Sequence, residues 1–213
     1  MATFHSVLVT GANRGIGLQF VAELVDKTKH LIATARDVEK ATELKKLAAK
    51  HPNLHILQLE MTDYKRHDSL VSEIANIVGE KGLTLSIQNA GLMIEEKFEE
   101  SKPESYEKIY AVNAIAPVLL ARQLMPLLKR STASRERTFA VFIGSWLGSI
   151  ELSPPTNITE KIAYRMSKSA LNQGVRTMAS HYSDEAIEFV IFHPGHVQTG
   201  KGLPGTTLIW CLN

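Results

Sequence analysis

Three glycines, Gly11, Gly15 and Gly17, lie between an apolar run at Val7–Val9 and a helical pattern that reaches Val25. A strand that must become a helix through Thr10-Gly11-Ala12-Asn13-Arg14-Gly15-Ile16-Gly17 has few ways to fold. Gly11 permits a tight turn at positive φ. Gly15 removes a side chain where backbone must approach a ligand, and Gly17 lets the helix lie close on the sheet. The free N–H groups at the helix start, with the helix dipole, make a site for a diphosphate. A glycine trio alone is a weak signal, and a glycine-rich turn without a ligand is the competing reading. Its place after a strand and before a helix gives it weight, and points to a dinucleotide.

The rest of the chain repeats the strand–helix alternation. Short runs rich in Val, Ile and Leu are predicted strands at Ser6–Thr10, His30–Ala35, His55–Glu60, Leu83–Gln88, Thr138–Ile143 and Glu188–Phe192. Helical patterns lie near Gly15–Val25, Val38–Lys50, Tyr64–Val78, Ser105–Lys129 and Ile162–Tyr182. Alternation of this kind predicts an α/β fold, a Rossmann-type doubly wound parallel sheet in three layers, with strands buried on both faces. No repeat or linker interrupts it, so residues 1–213 read as a single domain.

Composition closes off other classes. A formal charge of +2 is too small to suggest nucleic acid or an anionic membrane. The lone Cys211 cannot form an internal disulfide, and residues 1–6 lack the basic start of a signal peptide, so a cytoplasmic location is expected. No uninterrupted apolar run reaches the roughly 18 residues of a membrane-spanning helix. Asn157-Ile158-Thr159 matches a glycosylation sequon, read here as chance.

The glycine spacing is wider than that of the common dinucleotide fingerprint, and other motifs follow it in order. Asn89-Ala90-Gly91 closes the fourth strand, Asn113 lies in the next helix, and Ser145 follows the fifth strand. Tyr164 and Lys168 stand four apart, and Pro194-Gly195 and Thr199 follow the sixth strand. This series resembles the short-chain dehydrogenase/reductase family from Val7 to about Thr199, and most of all its carbonyl reductase branch of sniffer and C-factor type.

The resemblance implies a nicotinamide cofactor held by Gly11, Asn13, Arg14, Gly15, Ile16, Gly17, Arg36, Glu60, Met61, Asn89, Ala90, Gly91, Tyr164, Lys168, Pro194, Gly195, Val197 and Thr199. The second strand ends in Ala35-Arg36, where NAD-selective folds carry an acidic residue. A guanidinium pairs with a 2′-phosphate and a carboxylate repels it, so NADP(H) is favoured over NAD(H), with Arg14 as a second basic group. Two solvated surface arginines are the alternative, and Asp37 is placed to compete for Arg36. Glu60 stands where the family has an Asp near adenine, and Asp63 reads as a helix cap. Asn89 fits both a cleft-lining role and a turn-stabilising one.

Residues i and i+4 of a helix share a face, roughly 6 Å apart. An ammonium at that distance stabilises a phenolate and is expected to lower the pKa of Tyr164. By resemblance, the catalytic set is Asn113, Ser145, Tyr164 and Lys168. Tyr164 passes a proton to the substrate carbonyl, Ser145 holds the same oxygen, Lys168 also bonds the ribose, and Asn113 positions a water linking Lys168 to solvent. Without these neighbours the Tyr–Lys pair would read as two amphipathic surface residues.

Ser145 and Tyr164 are nineteen positions apart, and Glu151–Lys161, with Pro154-Pro155, reads as a loop that shapes specificity. Trp146 and Leu147 are either packing or an apolar wall beside it. His193 and His196 are three apart but lack a third ligand, so no metal is expected. Past Thr199 the chain is shorter than the family's usual tail, which predicts an early stop and an exposed sheet edge.

Two functions follow. One is NADPH-dependent reduction of small aldehydes, ketones or quinones. The other is a truncated cofactor-binding or signalling protein with little catalytic activity. The expected partners are a small-molecule carbonyl substrate and, through the apolar arcs of Ser105–Lys129 and Ile162–Tyr182, a second copy in a homodimer. Neither nucleic acid nor a membrane is expected.

Overall fold

The computed structural model describes residues 4–152 and 161–195, and the backbone of Trp210–Cys211. Strands β1 (Phe4–Val9), β2 (Thr28–Ala35), β3 (Leu54–Gln58), β4 (Leu85–Gln88), β5 (Thr138–Ile143) and β6 (Ile187–His193) form a parallel sheet. Its order is β3-β2-β1-β4-β5-β6, followed by the two-residue β7 (Trp210–Cys211). The order reverses between β1 and β4, and open α/β sheets take ligands at such a switch point, beyond the carboxyl ends of the strands.

Helices α1 (Gly15–Leu24) and α2 (Thr42–Ala48) cover one face, where Val21, Val25 and Leu44 pack on Val7, Val9, Leu31 and Ala33. Helices α3 (Tyr64–Val78), α5 (Ala116–Ala133) and α6 (Ile162–His181) cover the other. There Leu70, Ile74, Leu120, Leu124, Leu128, Leu171 and Val175 bury Leu8, Ile32, Ala140 and Phe142. Leu8 and Val9 alternate between the two cores, as a strand buried on both sides requires. The side chain of Asp63 caps α3 by accepting from the Arg66 amide, as the sequence suggests.

Three sequence expectations need correction. The helix expected at Ser105–Lys129 is α4 (Pro103–Tyr110) and α5 joined by one π-helical turn, Ala111–Ile115. Pro117 has no N–H to give the Asn113 carbonyl four residues back, which removes one α-helical bond at this turn, although Pro126 is accommodated inside α5 without a π turn. Next, the Pro103–Ala133 segment does qualify as a membrane span by length and mean hydropathy, 1.5 over 18 residues, which counting uninterrupted apolar residues overlooks. Over half of that window is buried inside the fold, as in a core helix. Last, the chain past Thr199 is expected to leave the sheet with an exposed edge after β6. Instead Trp210–Cys211 pairs antiparallel with Phe192–His193. β6 is only half-buried along most of its length, unlike the inner strands.

Candidate active site

The glycine turn is clamped to the end of β4. The Thr10 hydroxyl accepts from the amides of Asn89 at 2.9 Å and Ala90 at 3.1 Å. In return the Asn89 side-chain amide donates to the carbonyls of Thr10 (2.8 Å) and Gly11 (3.1 Å). Asn89 therefore stabilises the turn with its side chain. A Cβ on Gly11 would lie 2.8 Å from Ala90 Cα, at a φ of +64°. One on Gly17 would lie 2.4 Å from the Gly11 carbonyl oxygen. Gly15 also has positive φ, +56°.

Asn13, Arg14 and Gly15 are exposed at the head of α1. Arg14, the cap residue, gives no side-chain acceptor, and the first turn holds no carboxylate. The leading amides are left for an outside anion, so this turn fits a dinucleotide diphosphate.

Further along the cleft, Asp37 does not compete for Arg36. It pairs with Lys40 at 3.0 Å, and that contact holds its carboxyl below the usual range. The partner of Arg36 is Glu60, with Nε 3.8 Å from the carboxylate. The Met61 side chain is in the core, and its carbonyl accepts from His67 Nε2 at 2.9 Å. Met61 thus has only its main chain to offer a ligand.

The catalytic candidates converge on the ends of β4 and β5. Ser145 follows β5 and caps a short 3₁₀ turn, Trp146–Gly148, its hydroxyl accepting from the Leu147 amide at 3.2 Å. The Ser145 side chain also acts on the Tyr164 phenol, favouring its ionised form. Lys168 is 5% exposed and donates to the Ile143 carbonyl at 2.7 Å. Its Nζ is 5.7 Å from the centre of the Tyr164 ring. Burial lowers the Lys168 pKa to about 8.

The expected lowering of the Tyr164 pKa is reversed. Burial raises it, and the Ser145 side chain opposes the rise. The ammonium is engaged by a carbonyl at the end of β5, 5.7 Å from the centre of the ring, and does not offset that burial.

Asn113, 1% exposed, sits in the π turn. Its side chain accepts from the Leu92 amide and donates to the Leu92 carbonyl, both at 2.8 Å, and to Ser167 at 3.1 Å. With the side chain engaged in this way, any water it positions would be held by its main-chain carbonyl, the one that Pro117 leaves without an α-helical donor.

Pro194 and Gly195 follow β6 directly, Gly195 with φ +72°. Val197, Thr199 and His196 lie outside the described residues, as does most of the Glu151–Lys161 loop. Lys161 at its end pairs with Glu95 at 3.5 Å. Trp146 and Leu147 are half-buried. Among the described residues no group of His, Cys, Asp and Glu is arranged to hold a metal.

The sequence reading missed Gly148. A Cβ there would lie 2.8 Å from the Lys168 carbonyl carbon, and the Gly148 carbonyl accepts from Ser169 at 2.9 Å. This contact seats the Ser145 turn directly on the helix that carries Tyr164 and Lys168. A glycine three residues after the serine was the available signal. Ser167, the partner of Asn113, was missed as well.

The family model of the short chain dehydrogenases matches residues 5–202. The chain belongs to this family. Sniffer of Caenorhabditis elegans superposes with a TM-score of 0.85 at 42% identity, covering 92% of this chain and 86% of that one. The NADPH-bound carbonyl reductase from chicken fatty liver gives 0.89 at 36%, covering 95% and 84%. The carbonyl reductase Sniffer of Drosophila melanogaster gives 0.87 at 31%, covering 92% and 82%. The chain is accordingly a short-chain oxidoreductase acting between C=O and CH–OH groups.

Proposed function

We propose that residues 1–213 are one dinucleotide-binding domain that reduces small aldehydes, ketones or quinones with NADPH. The observation that carries this reading is the buried Lys168, bonded to the end of β5 and 5.7 Å from the centre of the Tyr164 ring, beside the turn that Ser145 opens. A reduced nicotinamide, when bound, supplies the hydride. Gly11, Asn13, Arg14, Gly15, Ile16 and Gly17 would hold its diphosphate, Asn89, Ala90, Gly91, Pro194 and Gly195 would line its cleft, and Val197 and Thr199 are proposed with them from the resemblance alone.

The phenol of Tyr164 gives its proton to the substrate oxygen, and a raised pKa keeps that proton in place at neutral pH. Ser145 donates to the same oxygen as negative charge develops on it. Lys168 fixes its ammonium on Ile143 within reach of Tyr164, and the Asn113 carbonyl would hold a water through which the site exchanges protons with solvent.

Preference for NADP(H) rests on Arg36, whose side chain is 79% exposed at the end of β2 with no carboxylate at Ala35. That the chicken liver reductase was crystallised with NADPH agrees with it. The location proposed is the cytoplasm. A second copy is the proposed partner for the open apolar groove of about 300 Å³ between α5 and α6, lined by Val118, Leu119, Met178 and Tyr182. Sedimentation measures that state directly.

The test of function is NADPH oxidation followed at 340 nm against a panel of quinones and aromatic aldehydes. Turnover with members of the panel is expected. Tight NADPH binding without turnover would favour the non-catalytic reading instead.

A further inference from the structure

The Arg36–Glu60 contact joins the ends of two neighbouring strands at the adenosine end of the cleft. Arg36 follows β2, Glu60 follows β3, and the Gln58 side chain holds the Arg36 carbonyl at 3.2 Å, fixing the two strand ends together. The other acid close to Arg36 in sequence, Asp37, is occupied by the Lys40 ammonium and amide. Glu60 is therefore the carboxylate that acts on this guanidinium. Its second oxygen accepts from the Thr62 hydroxyl at 3.4 Å, which restrains the carboxylate.

We propose that Glu60 is a specificity-determining positioning residue that weakens the preference for a 2′-phosphorylated dinucleotide by occupying Arg36. This rests on the proposed NADP(H) site. A phosphate approaching Arg36 must take the guanidinium from Glu60, or share it with a carboxylate of the same sign as itself. A ribose 2′-hydroxyl meets neither cost. The pair thus sets the ratio of affinities for the two nicotinamide dinucleotides, and leaves the chain able to use both.

The experiment measures dissociation constants of NADP⁺ and NAD⁺ by quenching of tryptophan fluorescence. It uses wild type, Glu60→Gln, Arg36→Ala, the double variant, and Asp37→Asn as a control. Both side chains reach solvent, at 79% and 41% exposure, so each variant should keep its thermal transition. Glu60→Gln is expected to raise the ratio of NADP⁺ to NAD⁺ affinity about three- to fivefold, the scale of an exposed ion pair, since any change at the shared adenine cancels in that ratio. The gain should shrink at high salt, vanish in the Arg36→Ala background, and be absent in Asp37→Asn.

An unchanged NADP⁺/NAD⁺ ratio in Glu60→Gln overturns the inference. So does an equal gain in the Arg36→Ala background, which would mean that Glu60 repels the phosphate without acting through Arg36. If wild type binds neither dinucleotide, the underlying site assignment fails instead, a result distinguishable from both.

Discussion

The buried Lys168 ammonium is held by the Ile143 carbonyl at 2.7 Å, two residues before Ser145 on the same chain segment. The pair ties helix α6 to the end of β5, and places a cation under the phenol of Tyr164 without bonding to it.

Burial of this ammonium has a measurable cost. Lysine ordinarily titrates at 10.5, and here at about 8. Between those values the unfolded chain binds more protons than the folded one, so stability rises with pH. Tyr164 acts only higher: its raised pKa contributes stability that is present below 10 and lost above it. From pH 8 to pH 10 the Lys168 contribution to unfolding free energy should rise by about 2 kcal/mol. Urea unfolding at both pH values, compared with Lys168→Met, reads this difference. Identical pH slopes for the two proteins would refute it.

Tyr164→Phe should retain the fold and bind NADPH within about twofold of wild type, while kcat falls about 10²- to 10⁴-fold, the range of a lost general acid. Ser145→Ala should lose about 10²- to 10³-fold. A Tyr164→Phe enzyme with near-normal kcat would remove the phenol from the mechanism.

Asn113→Ala breaks both bonds to the Leu92 backbone and the one to Ser167. The buried Ser167 hydroxyl keeps its bond to the Tyr164 carbonyl at 2.7 Å, and half-exposed Leu92 can turn to water. The expected loss is therefore about 2 kcal/mol, or a Tm lower by about 4–8 °C for a chain of this size. Differential scanning calorimetry checks it, and an unchanged Tm would show that Asn113 does not anchor the loop after β4.

Much of this architecture is legible in local pattern. Thr138–Ile143 and Tyr64–Val78 appear with the boundaries expected, because apolar runs and a capping Asp63 mark them in the sequence itself. The glycine turn is equally local. What escaped depends on contacts between distant segments. Asp37 adjoins Arg36 in sequence, yet Glu60 meets it in space, since β2 and β3 are neighbours in the sheet. The direction of the Tyr164 shift needed the depth of burial and the aim of Lys168, neither of which i,i+4 spacing contains. The π turn was not legible from Pro117 alone, since Pro126 removes the same kind of donor inside α5 and the α-helix continues there.

Gly148 tests whether the reacting centre is assembled by direct contact between the Ser145 turn and α6. A methyl group at 148 would stand 2.8–3.0 Å from the Lys168 carbonyl carbon, Lys168 Cβ and the Ser169 amide. Backbone cannot yield as a flexible side chain does, so the turn must move away, carrying Ser145 from Tyr164. Gly148→Ala should cost about 1–3 kcal/mol of stability, as overpacking does. Its kcat should fall at least tenfold, because misplacement near 1 Å is costly to an aligned site. The glycine turn around Gly11 and Gly17 lies on other strands, so the dissociation constant for NADPH should stay within about twofold. Stopped-flow turnover with fluorescence titration separates the two readouts. Equal losses in kcat and NADPH affinity would mean that the substitution disrupts the fold generally, and would sink the proposed role of this contact.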